Sequence, residues 1–252
     1  MLYPFVMCGF AGFATGLGGL AVIVSKGMDN RKMAFFQGFA AGVMLAVSFM
    51  DLLPETFRTY YTYMPVMTAA KAVLSLFFCG WVAGAAVTGI IPAENTAGEK
   101  GVQSVVKRTA LITAAVMVLH NLPEGMLTVF SSAHSVQLGT RIAIAVALHN
   151  LPEGMAVASP VLYLTGSRIK AFLYSLATGM AELAGGVVAY VLFRNFITPA
   201  FLNGIMPIIA GIMCQAALCE MIPAGEKISD IHHTLYGIIV GIIIMSIGLF
   251  VF

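Results

Sequence analysis

The chain has 252 residues, of which 60% are hydrophobic and only 10% charged. Soluble domains run near a quarter charged, so this composition excludes a dissolved globular fold. A net charge of +2 is too small to point to a nucleic-acid partner. The composition predicts an all-α membrane bundle forming a single transmembrane domain over residues 1–252.

A membrane-crossing helix needs about 20 mostly apolar residues. Eight segments qualify, at 2–24, 34–57, 66–91, 108–131, 140–162, 169–193, 203–224 and 234–252. The first has no Lys or Arg before Lys26 and lacks the basic start of a signal peptide, so it reads as a retained span. Glycines cluster in it (Gly9, Gly12, Gly16, Gly18, Gly19) and again in the sixth (Gly179, Gly185, Gly186), as close helix packing in lipid requires. The second span ends Ser48-Phe-Met-Asp51-Leu-Leu-Pro54-Glu55. Met44 and Ser48 share one of its faces and offer a soft ligand or a hydroxyl, or else core packing. The longest loop runs over residues 92–107.

Eight residues then occur twice without change. Leu119-His120-Asn121-Leu122-Pro123-Glu124-Gly125-Met126 in the fourth span matches Leu148-His149-Asn150-Leu151-Pro152-Glu153-Gly154-Met155 in the fifth. Within each copy His and Glu are four residues apart and share a helix face. The proline between them removes an N–H and kinks the helix, freeing a carbonyl near Leu119 and Leu148. At roughly 1.5 Å per residue both copies fall near the bilayer midplane. Consecutive spans run antiparallel, so the copies face each other across an approximate two-fold axis.

Two imidazoles, two carboxylates and two amides thus meet where an ionised carboxylate costs several kcal/mol unless a cation compensates it. Glu182 in the sixth span adds a third carboxylate at the same depth. The expected ligands of a divalent metal ion are His120, Asn121, Glu124, His149, Asn150, Glu153 and Glu182. Nitrogen and oxygen donors without thiolate suit Zn²⁺, Fe²⁺, Mn²⁺ or Cd²⁺. Three carboxylates exceed the needs of one tetrahedral ion, which allows two ions bridged by Glu124 and Glu153. The metal is cargo, and no cofactor is expected.

The seventh span ends Gln215-Ala-Ala-Leu-Cys-Glu220-Met-Ile-Pro223. Like the second, it carries a carboxylate shortly before a proline, on the opposite side of the membrane. Spans 1–3 and 6–8 therefore read as inverted repeats around spans 4 and 5. Asp51 and Glu55 become acidic steps at one mouth and Glu220 at the other. Gln215, on one face with Cys219, is a candidate for the exit. His232 and His233, in the last cytoplasmic loop, are candidates to receive departing metal. The four cysteines lie in apolar stretches without Cys-x-x-Cys spacing, and they read as packing residues.

Nine Lys and Arg lie in the odd-numbered loops (Lys26, Arg31, Lys32, Lys100, Lys107, Arg108, Arg168, Lys170, Lys227), against Arg58, Arg141 and Arg194 in the even-numbered ones. The positive-inside rule then places the odd loops in the cytoplasm and both termini outside.

With its eight spans and paired His-Asn-x-Pro-Glu-Gly motifs, the whole chain resembles the ZIP family, the Zrt-, Irt-like metal transporters, in its compact prokaryotic branch. The resemblance implies a two-metal centre. His120 and Glu124 with Glu153 would hold one ion, and Asn121, Asn150 and Glu182 would join the bridging glutamates for the other, with His149 at the centre. It also implies metal flow towards the cytoplasm, a bacterial or archaeal plasma membrane, and a homodimer. Two features depart from the family pattern: the 92–107 loop has no histidine, and Asn150 stands where some relatives have a carboxylate. An intramembrane metalloenzyme is the competing class. Di-iron bundles, however, use Glu-x-x-His pairs, whereas here the order is His-x-x-x-Glu with a proline inside. A carrier of protons or small cations with a structural metal is a third.

Overall fold

Eight helices long and apolar enough to cross a membrane make up the computed structural model, which describes residues 2–24, 27–92 and 100–251. They are α1 (Leu2–Val24), α2 (Asn30–Tyr61), α3 (Val66–Ile90), α4 (Gly101–His134), α5 (Val136–Thr165), α6 (Arg168–Phe193), α7 (Ala200–Ile228) and α8 (Ile231–Val251). No strand occurs among the described residues. The all-α, eight-span expectation is borne out.

Several helices start before the apolar runs because side chains cap them. Asp29, Ser135, Ser167 and Thr198 each accept a backbone N–H three residues on, at 2.8, 3.3, 3.3 and 3.2 Å. Two expected loops are also shorter than their apolar limits suggested. Lys107, expected in the 92–107 loop, lies inside α4 together with Arg108, and residues 93–99 of that loop lie outside the described residues. His232 and His233 belong to the first turn of α8, not to a loop, with Asp230 accepting the His232 N–H at 3.0 Å.

Two helices contain a π-helical turn that the apolar pattern did not reveal, Ser48–Leu52 in α2 and Ala217–Met221 in α7. The Leu53 N–H reaches back to the Ser48 carbonyl, and the Ile222 N–H to that of Ala217. Each turn is followed by a proline, Pro54 or Pro223, whose missing N–H breaks the regular ladder at the same point.

The helices pack in two sets. In the first, α1, α4, α5 and α6 interlock through glycines. α1 and α6 run antiparallel and touch at Gly12 and Gly179, where a Cβ on either would strike the other's carbonyl. Gly125 of α4 lies against the Glu182 carbonyl of α6, and Gly154 of α5 against the Thr15 carbonyl of α1. In the second set α2 packs on α8 and α3 on α7. Contacts of α2 with α5 and of α4 with α7 join the sets around a core that includes Met44, Val116, Met117 and Met213. Large apolar side chains such as Phe78, Ile90 and Ile243 are exposed on the outer surface, where lipid covers them.

Membrane helices gain little from hydrophobic burial against one another, so close backbone contact carries the packing. A Cβ at Gly42 would collide with the Ile238 backbone of α8. Gly42→Val is expected to cost about 1–3 kcal/mol through overpacking. Thermal unfolding in detergent checks this, and an unchanged midpoint would contradict the α2–α8 contact.

Candidate metal centre

α4 and α5 continue unbroken through Pro123 and Pro152. A proline at these positions cannot bond the Leu119 and Leu148 carbonyls. Each helix therefore lacks one backbone hydrogen bond at its proline while remaining continuous.

Each histidine meets the glutamate of the other motif. His120 Nε2 lies 3.1 Å from Glu153 Oε1, and His149 Nε2 lies 3.6 Å from Glu124 Oε1. The asparagines tie this pair of helices to the flanking ones. Asn121 Nδ2 donates to the Thr178 carbonyl of α6 at 3.0 Å, and Asn150 Nδ2 to the Ala11 carbonyl of α1 at 2.9 Å. Asn150 Nδ2 also donates to Glu182 Oε2 at 2.9 Å, while Thr128 Oγ1 donates to Glu182 Oε1 at 3.3 Å. All seven expected ligands are buried together.

What remains unpaired is mostly acceptor. Glu124 Oε2, Glu153 Oε2, Asn121 Oδ1, Asn150 Oδ1 and the Nδ1 atoms of both histidines are buried without a hydrogen-bond partner. Buried polar groups are normally satisfied, so such a concentration calls for a ligand. A hard or borderline cation is what carboxylate, amide oxygen and imidazole nitrogen accept. In this conformation the set is not gathered around a point. Among the described residues, no three His, Cys, Asp or Glu side chains stand close enough to hold one ion.

The helix contacts around the centre are matched between its two halves. Ala11, Thr15 and Gly18 of α1 make towards α5 the contacts that Thr178, Glu182 and Gly185 of α6 make towards α4. Thr15 thus stands where Glu182 stands on the other side, and its Oγ1 is buried without a partner. One half carries a third carboxylate and the other a hydroxyl.

The path residues divide. Asp51 and Glu55 line a cavity of about 710 Å³ that opens beside His134 and reaches Glu124 and His149. Glu220 lies at the opposite end, where Arg108 Nη1 donates to its Oε2 at 2.8 Å beside a cavity of about 30 Å³. Met44 is core, and Ser48 Oγ donates to the Ala210 carbonyl at 3.5 Å. Neither lines either of these two cavities. Gln215 turns to α3, donating from Nε2 to Thr88 Oγ1 at 3.3 Å. His232 and His233 line neither mouth, and His232 Nε2 sits 3.9 Å from Asp230. Thr15, Thr128, Arg108 and His134 were not expected at the site. Arg108 had registered only as a topology charge.

Comparison with known proteins agrees with this picture. Residues 91–248 match the family model described as ZIP Zinc transporter. A protein of Chlorobium phaeovibrioides named Zinc transporter ZupT is 36% identical, the alignment covering 98% of this chain and 97% of that protein. Proteins of the same name from an Enterobacter species and from Chlorobium chlorochromatii are 35% and 32% identical, over 99% and 100% of this chain and 96% and 98% of theirs. With its duplicated motif buried at the junction of α4, α5 and α6, the chain belongs to the ZIP zinc transporter family.

Proposed function

We propose that this chain, a multi-pass transporter like the rest of its family and not an enzyme, carries Zn²⁺ and Fe²⁺, with Mn²⁺ and Cd²⁺ as further cargo, into the cytoplasm. The reading is supported above all by the cluster of unpaired buried acceptor atoms around the two His–Glu pairs. Cargo entering by the His134 mouth meets Asp51 and Glu55 first, then Glu124 and His149. A dication outbids the imidazoles for Glu124 and Glu153, and the released histidines join the asparagine oxygens as ligands. Each glutamate has one oxygen towards a histidine and one without a partner, which suits both to bridge two ions. Protons compete for the same groups, since each ligand binds metal only when deprotonated.

In this reading His120, Asn121, Glu124, His149, Asn150, Glu153 and Glu182 are the ligands, within one transport domain. The Arg108 mouth is then cytoplasmic, a reading that the Lys and Arg distribution supports, with both termini outside a bacterial or archaeal plasma membrane. The matched contacts of α1 and α6, and the matched π turns of α2 and α7, support inverted repeats of α1–α3 and α6–α8 around α4 and α5. A homodimer is expected from the family.

Proteoliposome uptake of the four metals, with internal pH followed, tests the proposal on wild type beside Glu124→Ala. Uptake of zinc that disappears in a folded variant is the expected result. Undiminished uptake would move the path away from the duplicated motif.

A further inference from the structure

The two mouths are built from matching positions but stand in different states. Asp51, Leu138 and Ile142 line the cavity of about 710 Å³. Their counterparts Glu220, Thr109 and Thr113 line the cavity of about 30 Å³, and a space of that size holds about one water. Arg108 of α4 closes this second mouth on Glu220 of α7 at 2.8 Å. The α5 position that corresponds to Arg108 is the neutral Gln137. Among the described residues Asp51 has no ion-pair partner within 4 Å. Behind the Arg108–Glu220 pair lies Thr113, 1% exposed, which lines the same small cavity and whose buried Oγ1 has no hydrogen-bond partner.

We propose that Arg108 gates the cytoplasmic mouth. Its guanidinium holds Glu220, the carboxylate a departing divalent cation would take, and the mouth opens when the pair parts. α4 belongs to the helix set that carries the buried centre and α7 to the other, so the pair fastens one set to the other at one end only. With side-chain exposures of 25% and 13%, the two groups are shielded enough for a charge-assisted hydrogen bond to count. An arriving dication competes with the guanidinium for one carboxylate, so cargo itself releases the latch. Thr113, behind the pair, and the Cys219 thiol also line this cavity as donors. The identity of that cation rests on the transport reading above, whereas the gate rests on the α4–α7 contact alone.

The test needs no metal. Thr113→Cys is introduced where the exposed Cys79 and Cys219 are replaced by serine, and the protein in nanodiscs is treated with a charged maleimide. Slow modification is expected with Arg108 in place. Arg108→Met and Glu220→Gln are each expected to raise the rate about tenfold, by shifting the closed–open population. The swapped pair, Arg108→Glu with Glu220→Arg, is expected to return the rate to slow, which a merely misfolded variant would not do. Equal rates in all four proteins would overturn the gate. Rates that rise as expected in a protein that takes up no zinc would keep the gate and remove the transport reading. Unchanged rates in a protein that does take up zinc would remove the gate alone.

Discussion

His120→Ala is expected to lower the stability of the cargo-free protein by about 3–5 kcal/mol, the cost of leaving a buried charge without its partner. Glu153 is 0% exposed, and His120 Nε2 is the group that faces its Oε1. Removing both partners strands no charge, so the double variant His120→Ala/Glu153→Ala should unfold at a higher temperature than the single one. Both should be inactive in zinc uptake, since both lose proposed ligands. Detergent melting curves of the three proteins decide the matter. A single variant that melts with wild type would mean that Glu153 is satisfied elsewhere and that the cross-motif pair has no energetic role.

Gly125→Ala should be damaging through sterics alone. A Cβ there would fall on the Glu182 carbonyl, with no flexible side chain to yield. α4 and α6 must part, and with them the Thr128–Glu182 hydrogen bond. Overpacking of a close-packed core costs about 1–3 kcal/mol and occasionally more. Zinc uptake should fall to background because Glu182 moves away from Asn150. Gly89→Ala serves as the control: nothing lies within 4 Å of its added methyl, and alanine is the better helix former. If Gly125→Ala purified and transported as well as Gly89→Ala, the close α4–α6 approach would be wrong.

Much of this architecture was legible in the order of residues. Apolar length gave the eight helices, and the repeated octapeptide gave the buried centre, because its spacing fixes which side chains share a face of α4 and of α5. Partner choice within the centre was not legible. Face-sharing puts His120 beside Glu124, but the helices lean so that His120 meets Glu153. The facing of Gln215 was hidden for a sharper reason. Its link to Cys219 assumed regular spacing of four, and the π turn Ala217–Met221 rotates everything beyond it about the helix axis. Gln215 therefore faces Thr88 while Cys219 and Glu220 face the mouth. Arg108 was hidden because a basic residue near a helix end satisfies the topology rule without revealing its partner.

The division of labour between the two helix sets bears on the height of the transport barrier. All seven proposed ligands sit on α4, α5 and α6, and α1 is locked to these helices through its glycines. The acidic residues nearest the openings, Asp51, Glu55 and Glu220, sit on α2 and α7. If the ligand-bearing set slides as a unit against the other, access changes sides while every bond to the ion stays made. The ion need be dehydrated once on loading and rehydrated once on release. The slow step of the cycle is then friction and repacking along an apolar seam of methionine and valine rather than ligand exchange at the metal.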